Sequence, residues 1–211
     1  MGTREGRPVD SGQQSTVDAG SRTIGGRATG RVSKRQWLDE AFDMLASDGV
    51  DSLRITHLAK RLDISKSGFY WHFENREDLL KEMKTFWVNE FSKSIISEIQ
   101  AMEGPLKSRL RCLAQTVRER QAGQYDLVFA MWAKQDPEVR SLVDAVTEMR
   151  LAFARGLLSD AGLKTNEIEA RARILLVYFA WSEVMFRQTP DGLEGEPLED
   201  IIDIIAGTAE P

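Results

Sequence analysis

At 211 residues, 42% apolar and 29% charged, the chain is long enough to bury a core without covalent or metal staples. One cysteine, Cys112, excludes an intramolecular disulfide, and two histidines with one thiol leave no basis for a metal site, so no cofactor or metal is expected. The net charge of −5 argues against nucleic acid only until it is divided: residues 1–76 hold 12 basic and 10 acidic residues, and residues 77–211 hold 16 and 23.

Residues 1–30 are rich in Gly, Ser, Thr and Arg, with too few apolar side chains to offset the entropy of ordering, and are read as a disordered tail. They lack the apolar core of a signal peptide, and no apolar run approaches the roughly 20 residues that span a bilayer, so a soluble cytoplasmic protein is expected, with no membrane partner. The first helix begins after Ser33. Ser33 and Gln36 fit a capping box, Val32 and Trp37 fit a hydrophobic staple, and Leu38, Ala41, Phe42 and Leu45 repeat at helical spacing up to a stop at Gly49. A short second helix carries Ile55, Leu58, Ala59 and Leu62 on one face. A third runs from the N-cap candidate Ser65 to Tyr70 or Trp71. Asn75 and Asp78 cap a long fourth helix bearing Leu79, Met83, Trp87, Ile95 and Ile99, long enough to link two domains. Beyond the break at Gly104-Pro105, helices are expected from Leu106, then over 124–134, 137–161, 165–188 and 198–207, punctuated by Gly123, Asp136-Pro137, Gly162 and a loop from Thr189 to Pro197. The fold class is all-α: a helix-turn-helix domain over 31–76, and a helical bundle over 77–211.

Two short helices around a tight turn, the second opening on small polar residues, have the layout of a helix-turn-helix. Ser65, Lys66, Ser67 and Gly68 present little bulk, as close approach to base edges in a major groove requires. Residues 53–80, LRITHLAKRLDISKSGFYWHFENREDLL, resemble the helix-turn-helix and following helix of the TetR family. The LAKRL core, the SKSGFYWHF stretch and the NREDLL opening stand in the family's order and spacing. The resemblance implies a homodimeric transcriptional regulator that binds a double-stranded DNA operator. It places recognition contacts on Ser65, Lys66, Ser67 and Gly68, with phosphate and sugar contacts from Tyr70, Trp71, His72 and Arg76. A hydrogen-bonded turn histidine is the other reading of His72. Arg54 stands where the family has a Thr cap and is placed to reach a phosphate instead. Asp63 replaces a turn glycine, and Thr56 replaces a base-contacting Arg.

Aromatic and Met residues recur at helical spacing through the second half, and Trp87, Phe129, Trp132, Met149, Phe153, Tyr178 and Trp181 are the expected lining of a pocket for a small apolar effector. The same spacing is that of an ordinary core. Apolar residues on the last two helices, from Ile174 to Trp181 and from Leu198 to Ile205, exceed what one contact needs, and the family pairs these helices in its dimer interface. The expected function is repression relieved by the effector. A TetR-like activator and a helical ligand carrier without DNA function are the alternatives. No Gly-rich phosphate loop, HExxH or GxSxG motif supports an enzyme, and no catalytic residue is assigned.

Overall fold

The computed structural model describes residues 32–185 and 196–207; the tail expected over 1–30 lies outside them, as does most of the loop expected over 189–197. Among the described residues all regular structure is helical. The elements are α1 (Lys34–Asp48), α2 (Ile55–Arg61), a 3-10 segment (Lys66–Trp71), α3 (Arg76–Val88), a π turn (Asn89–Lys93), α4 (Ser94–Gln100), α5 (Leu106–Glu119), α6 (Ala122–Trp132), α7 (Pro137–Asp160), α8 (Thr165–Met185) and α9 (Glu196–Ala206).

The chain's caps decide where its N-terminal helices begin. The Gln36 N–H donates to Ser33 Oγ at 3.2 Å and the Ser33 N–H to Gln36 Oε1 at 2.9 Å, closing the expected box. Gly49 ends α1 at φ 77°, its N–H on the Leu45 carbonyl. Its ψ of 173° sends the chain into a one-turn 3-10 stretch, Val50–Ser52. Asp63 takes φ 53°, the left-handed turn that Asp tolerates better than most residues. The Asp78 N–H donates to Asn75 Oδ1 at 2.9 Å, which starts α3 as expected.

The expected long helix is continuous from Arg76 to Gln100 but changes pitch midway. Asn89 and Ser94 keep helical backbone angles, while the Ser94 N–H reaches back to the Asn89 carbonyl, a π-type bond. Two arginines from other elements grip this turn. Arg150 of α7 donates to the Phe91 carbonyl at 2.9 Å, and Arg120, after α5, donates to the Glu90 carbonyl at 3.2 Å and to Ser94 Oγ at 2.7 Å.

Farther on, Gly123 is not a break. It is buried near the start of α6, and the chain turns at Gln121, φ 53°, beside the tethered Arg120. Asp136 caps α7 through the Glu138 and Val139 N–H groups with Pro137 in the first turn, and Gly162 takes φ 82° after it. The buried core runs from Trp37 to Ile205. α9 is held by buried Ile202 and Ile205, by the ion pairs Arg111–Glu199 and Lys107–Asp203, and by Arg171 donating to the Ile204 and Ile205 carbonyls at its C-terminus.

Candidate nucleic-acid interface and effector cavity

The recognition segment is a short 3-10 turn where an α-helix was expected. Ser65 has cap geometry but makes no capping bond; its hydroxyl pairs with Ser67 Oγ at 2.7 Å. What holds the segment is aromatic. Phe69, fully buried, meets Trp37 of α1 edge-on with centroids 5.4 Å apart and Phe73 at 5.0 Å. With the inner side anchored, the outer side is presented to solvent: Ser65, Lys66 and Ser67 are exposed, Tyr70 is 58% exposed and Trp71 70%. In 3-10 geometry residues three apart eclipse, so Ser67 and Tyr70 stack along one exposed edge. Arg54 and Thr56, at the start of α2, are exposed as well, and Arg54 makes no capping bond.

Three residues leave this surface. Gly68 faces inward: a Cβ there would meet Ile64 Cδ1 at 3.4 Å and Trp37 Cζ2 at 3.7 Å, ordinary contact distances, so a side chain at this position is directed at the packed side rather than at a groove. His72 joins its Nε2 to the Val32 carbonyl at 2.8 Å, the turn-histidine alternative, which ties the start of the domain to the end of the recognition segment. Arg76, expected on a phosphate, is half-buried and donates Nε to the Leu53 carbonyl at 2.6 Å and Nη2 to the Val50 carbonyl at 2.7 Å. The guanidinium satisfies carbonyls of the irregular chain between α1 and α2. Its first role is as a strut between the start of α3 and the chain that leads into α2.

The expected effector residues do not converge on one cavity. Trp87 and Phe129 stack face to face at 4.1 Å within the core, and Trp87 with Trp181 also borders a cavity of about 210 Å³. Trp132 borders a surface groove between α3 and α7 with Leu80, Lys84 and Val88. Tyr178 lies on an apolar α8 face with Ile174, Val177, Trp181 and Met185. Phe153 alone of the seven lines an inner apolar cavity of about 60 Å³, with Phe91, Ile95, Leu113, Val117 and Phe179. Met149 lines neither this cavity nor the grooves; it packs as partly buried core. Periodicity marks which helix faces are apolar, but not which of them stop short of contact.

Reading the sequence by its aromatics missed the polar centre of this region. Asp126, 9% exposed, stands in the apolar run of α6 and receives both terminal nitrogens of Arg150, at 2.6 and 3.0 Å. The Trp87 indole N–H donates to the same carboxylate at 2.9 Å, and Arg150 Nε donates to buried Ser92 Oγ at 3.0 Å. A lone aspartate inside an otherwise apolar helix was the available signal, because a buried charge requires a partner. The pair borders the inner cavity and the π turn together. Beside it, Tyr125 stacks on Phe91 at 4.3 Å and meets Phe42 of α1 edge-on at 5.0 Å, so α6 touches both the cavity wall and the N-terminal helices. Burial foremost, and Asp39 and Asp43 next, push the Tyr125 phenol above its ordinary pKa.

α8 and α9 retain exposed apolar side chains. Val177 is 60% exposed and Ile174, Met185 and Ile204 are also exposed, while Ile202 and Ile205 on the inner side of α9 are buried. The apolar excess noted in the sequence thus separates into two faces, one packed and one uncovered. Glu167 and Glu169 are surface charges paired with arginines, and Glu169, between Arg155 and Arg173, is held at a pKa of about 2. Among the described residues no helix is long and apolar enough to cross a membrane, and no three potential metal ligands cluster.

Residues 38–83, from the body of α1 to the middle of α3, match the family described as "Bacterial regulatory proteins, tetR family". Over 68 residues the chain is 31% identical to the HTH-type transcriptional regulator AcrR of Shigella flexneri; that match spans 32% of this chain and 29% of the relative. The described fold resembles PfmR, a TetR-family transcriptional regulator of Thermus thermophilus, with a TM-score of 0.62 at 20% identity over 83% of this chain and 99% of that one. A transcriptional regulator of Rhodococcus sp. Rha1 gives 0.60 at 19% over 83% and 95%. FadR of Bacillus subtilis, solved with stearoyl-CoA, gives 0.54 at 16% over 83% and 98%. At these identities the structures speak for the fold. The segment from α1 to the middle of α3 is thus similar to the TetR family's DNA-binding part, and the all-helical architecture around it has the fold of solved TetR-family regulators.

Proposed function

We propose that this protein is a homodimeric, sequence-specific DNA-binding regulator of transcription, acting in the cytoplasm as a repressor that a small, largely apolar effector releases from a palindromic operator. The carrying observation is the recognition segment. Its inner aromatics are locked on Trp37 while Ser65, Lys66, Ser67, Tyr70 and Trp71 are exposed to solvent, with Arg54 and Thr56 exposed at the start of α2. Small polar side chains at the front permit approach to base edges, and the lysine and the phenol supply donors to phosphates.

The uncovered apolar face of α8 with Ile204 of α9 supports pairing of two copies, since one helix-turn-helix makes few contacts and a two-fold pair reads two half-sites. The functional division proposed is a DNA-reading part over 31–76 and an effector-binding and dimerisation part over 77–211, joined through the long helix. That helix supplies the coupling. Arg76 at its start braces the chain that leads into α2, and its π turn is held by the same Arg150 that borders the inner cavity. An effector shifts DNA affinity only by its differential affinity for two settings of this helix. FadR of Bacillus subtilis, which shares the fold, was solved with stearoyl-CoA, a ligand that joins a long apolar acyl chain to a charged nucleotide part.

Capture of genomic fragments by the purified protein, followed by sequencing, tests the proposal. A shared motif with two-fold symmetry and half-site centres about 34–36 Å apart, or a multiple of that repeat, is expected. Random recovery of fragments would refute it.

A further inference from the structure

Two cavities have the Asp126–Arg150 pair in their walls. The inner one, about 60 Å³, is walled by side chains such as Ile95, Leu113 and Phe179, and a second, about 210 Å³, by Trp87, Val143, Thr147 and Trp181. Asp126, Arg150, Leu176 and Ala180 border both. Each alone falls below the roughly 300 Å³ at which small-molecule pockets begin, and opened into one they approach it.

The partition is charged but neutral in sum. Four of the five guanidinium N–H groups of Arg150 are directed at Asp126, Ser92 and Phe91. The remaining N–H, on Nη1, and the Ser92 hydroxyl proton have no acceptor among the described residues. A second anion would find no net positive charge to repay its desolvation, and a cation would have to displace Arg150 from Asp126. A neutral acceptor oxygen meets neither obstacle.

We infer that the two cavities are halves of one effector site barred by Arg150, and that the effector is an uncharged, mainly apolar molecule with a carbonyl-type acceptor near its middle. The inference rests on the regulatory reading above and adds the effector's charge class. It also adds the contact through which the effector acts, because the guanidinium it draws upon is the one that holds the Phe91 carbonyl in the π turn.

Calorimetric titration of the full chain, without DNA, with 6-undecanone, undecanoate and undecylammonium provides the test. The ketone is expected to bind, and each ion to bind about tenfold more weakly or worse. Asp126→Asn leaves the guanidinium charge unbalanced and should strengthen undecanoate binding about tenfold. Should that variant fail to fold by circular dichroism, Ala180→Leu serves: it adds bulk to a wall that both cavities share and should weaken ketone binding about tenfold with the helical spectrum unchanged. Undecanoate binding the unmodified chain as tightly as the ketone overturns the charge argument. Ketone affinity unmoved by Ala180→Leu, or no binding of any probe, overturns the joined site. A protein that selects its operator yet fails here loses only this inference; one that binds the ketone but no DNA loses the regulatory reading.

Discussion

Replacing Arg76 by Ala separates two roles for one guanidinium. As a strut, the side chain makes two charge-assisted bonds, to the carbonyls of Leu53 at 2.6 Å and Val50 at 2.7 Å, and bridges from α3 to the irregular chain before α2. Such bonds contribute about 1.5–3 kcal/mol each when buried. Arg76 is half-buried and water can replace part of the loss, so about 2–4 kcal/mol in total is expected. In a protein of this size each kcal/mol moves the melting temperature by roughly 2–4 °C, which makes the expected fall about 5–15 °C. The assay is paired: thermal melting by circular dichroism, and the salt dependence of operator binding measured well below the melting range. The strut role lowers the melting temperature and leaves the slope of log K against log salt unchanged. A phosphate contact would instead keep the melting temperature and flatten the slope by about one unit, and that result would refute the reasoning.

Other substitutions probe the same geometry. Gly68→Leu drives a side chain toward Ile64 and Trp37 and should destabilise the fold by about 1–3 kcal/mol, whereas Ser67→Leu, on the exposed edge, should fold normally and lose operator binding; urea titration and gel shift separate them. Val177→Asp should give a folded monomer by sedimentation, since Val177 is uncovered, while a charge at fully buried Ile205 should unfold the chain; a folded dimer from Val177→Asp would move the interface elsewhere. Tyr125 and Tyr178, both raised by burial, should ionise above the usual pKa of about 10 in absorbance titration, and Tyr125→Phe should remove one such step. A folded-state pKa raised in this way contributes stability below pH 10 that is lost as pH rises through the shifted value, so alkaline unfolding should move to higher pH in Tyr125→Phe.

Caps and turns were legible in the sequence because their chemistry is local. Ser33 with Gln36, Asn75 with Asp78, Asp136 with Pro137 and the left-handed Asp63 act within a few residues of themselves. The motif from Leu53 to Leu80 placed the recognition segment for the same reason. What the sequence concealed depends on distant partners. Arg76 resembles a surface cation until the carbonyls of Val50 and Leu53 come beneath it, and Gly68 resembles a groove-facing gap until Trp37 is packed behind it. Phe129 shares the spacing of pocket walls, yet it packs between Trp87 and Trp132 in the core. The Asp126–Arg150 pair joins residues 24 apart across two helices, which no periodicity reveals.

The account stands most directly on the ratio of dissociation constants for the captured operator and a scrambled duplex of the same composition, at about 150 mM salt. A specific reader built on Ser65–Trp71 predicts a ratio of about 10³ or more, falling toward one in Ser67→Leu while the helical spectrum is unchanged. A ratio near one for the unmodified, folded dimer would contradict it.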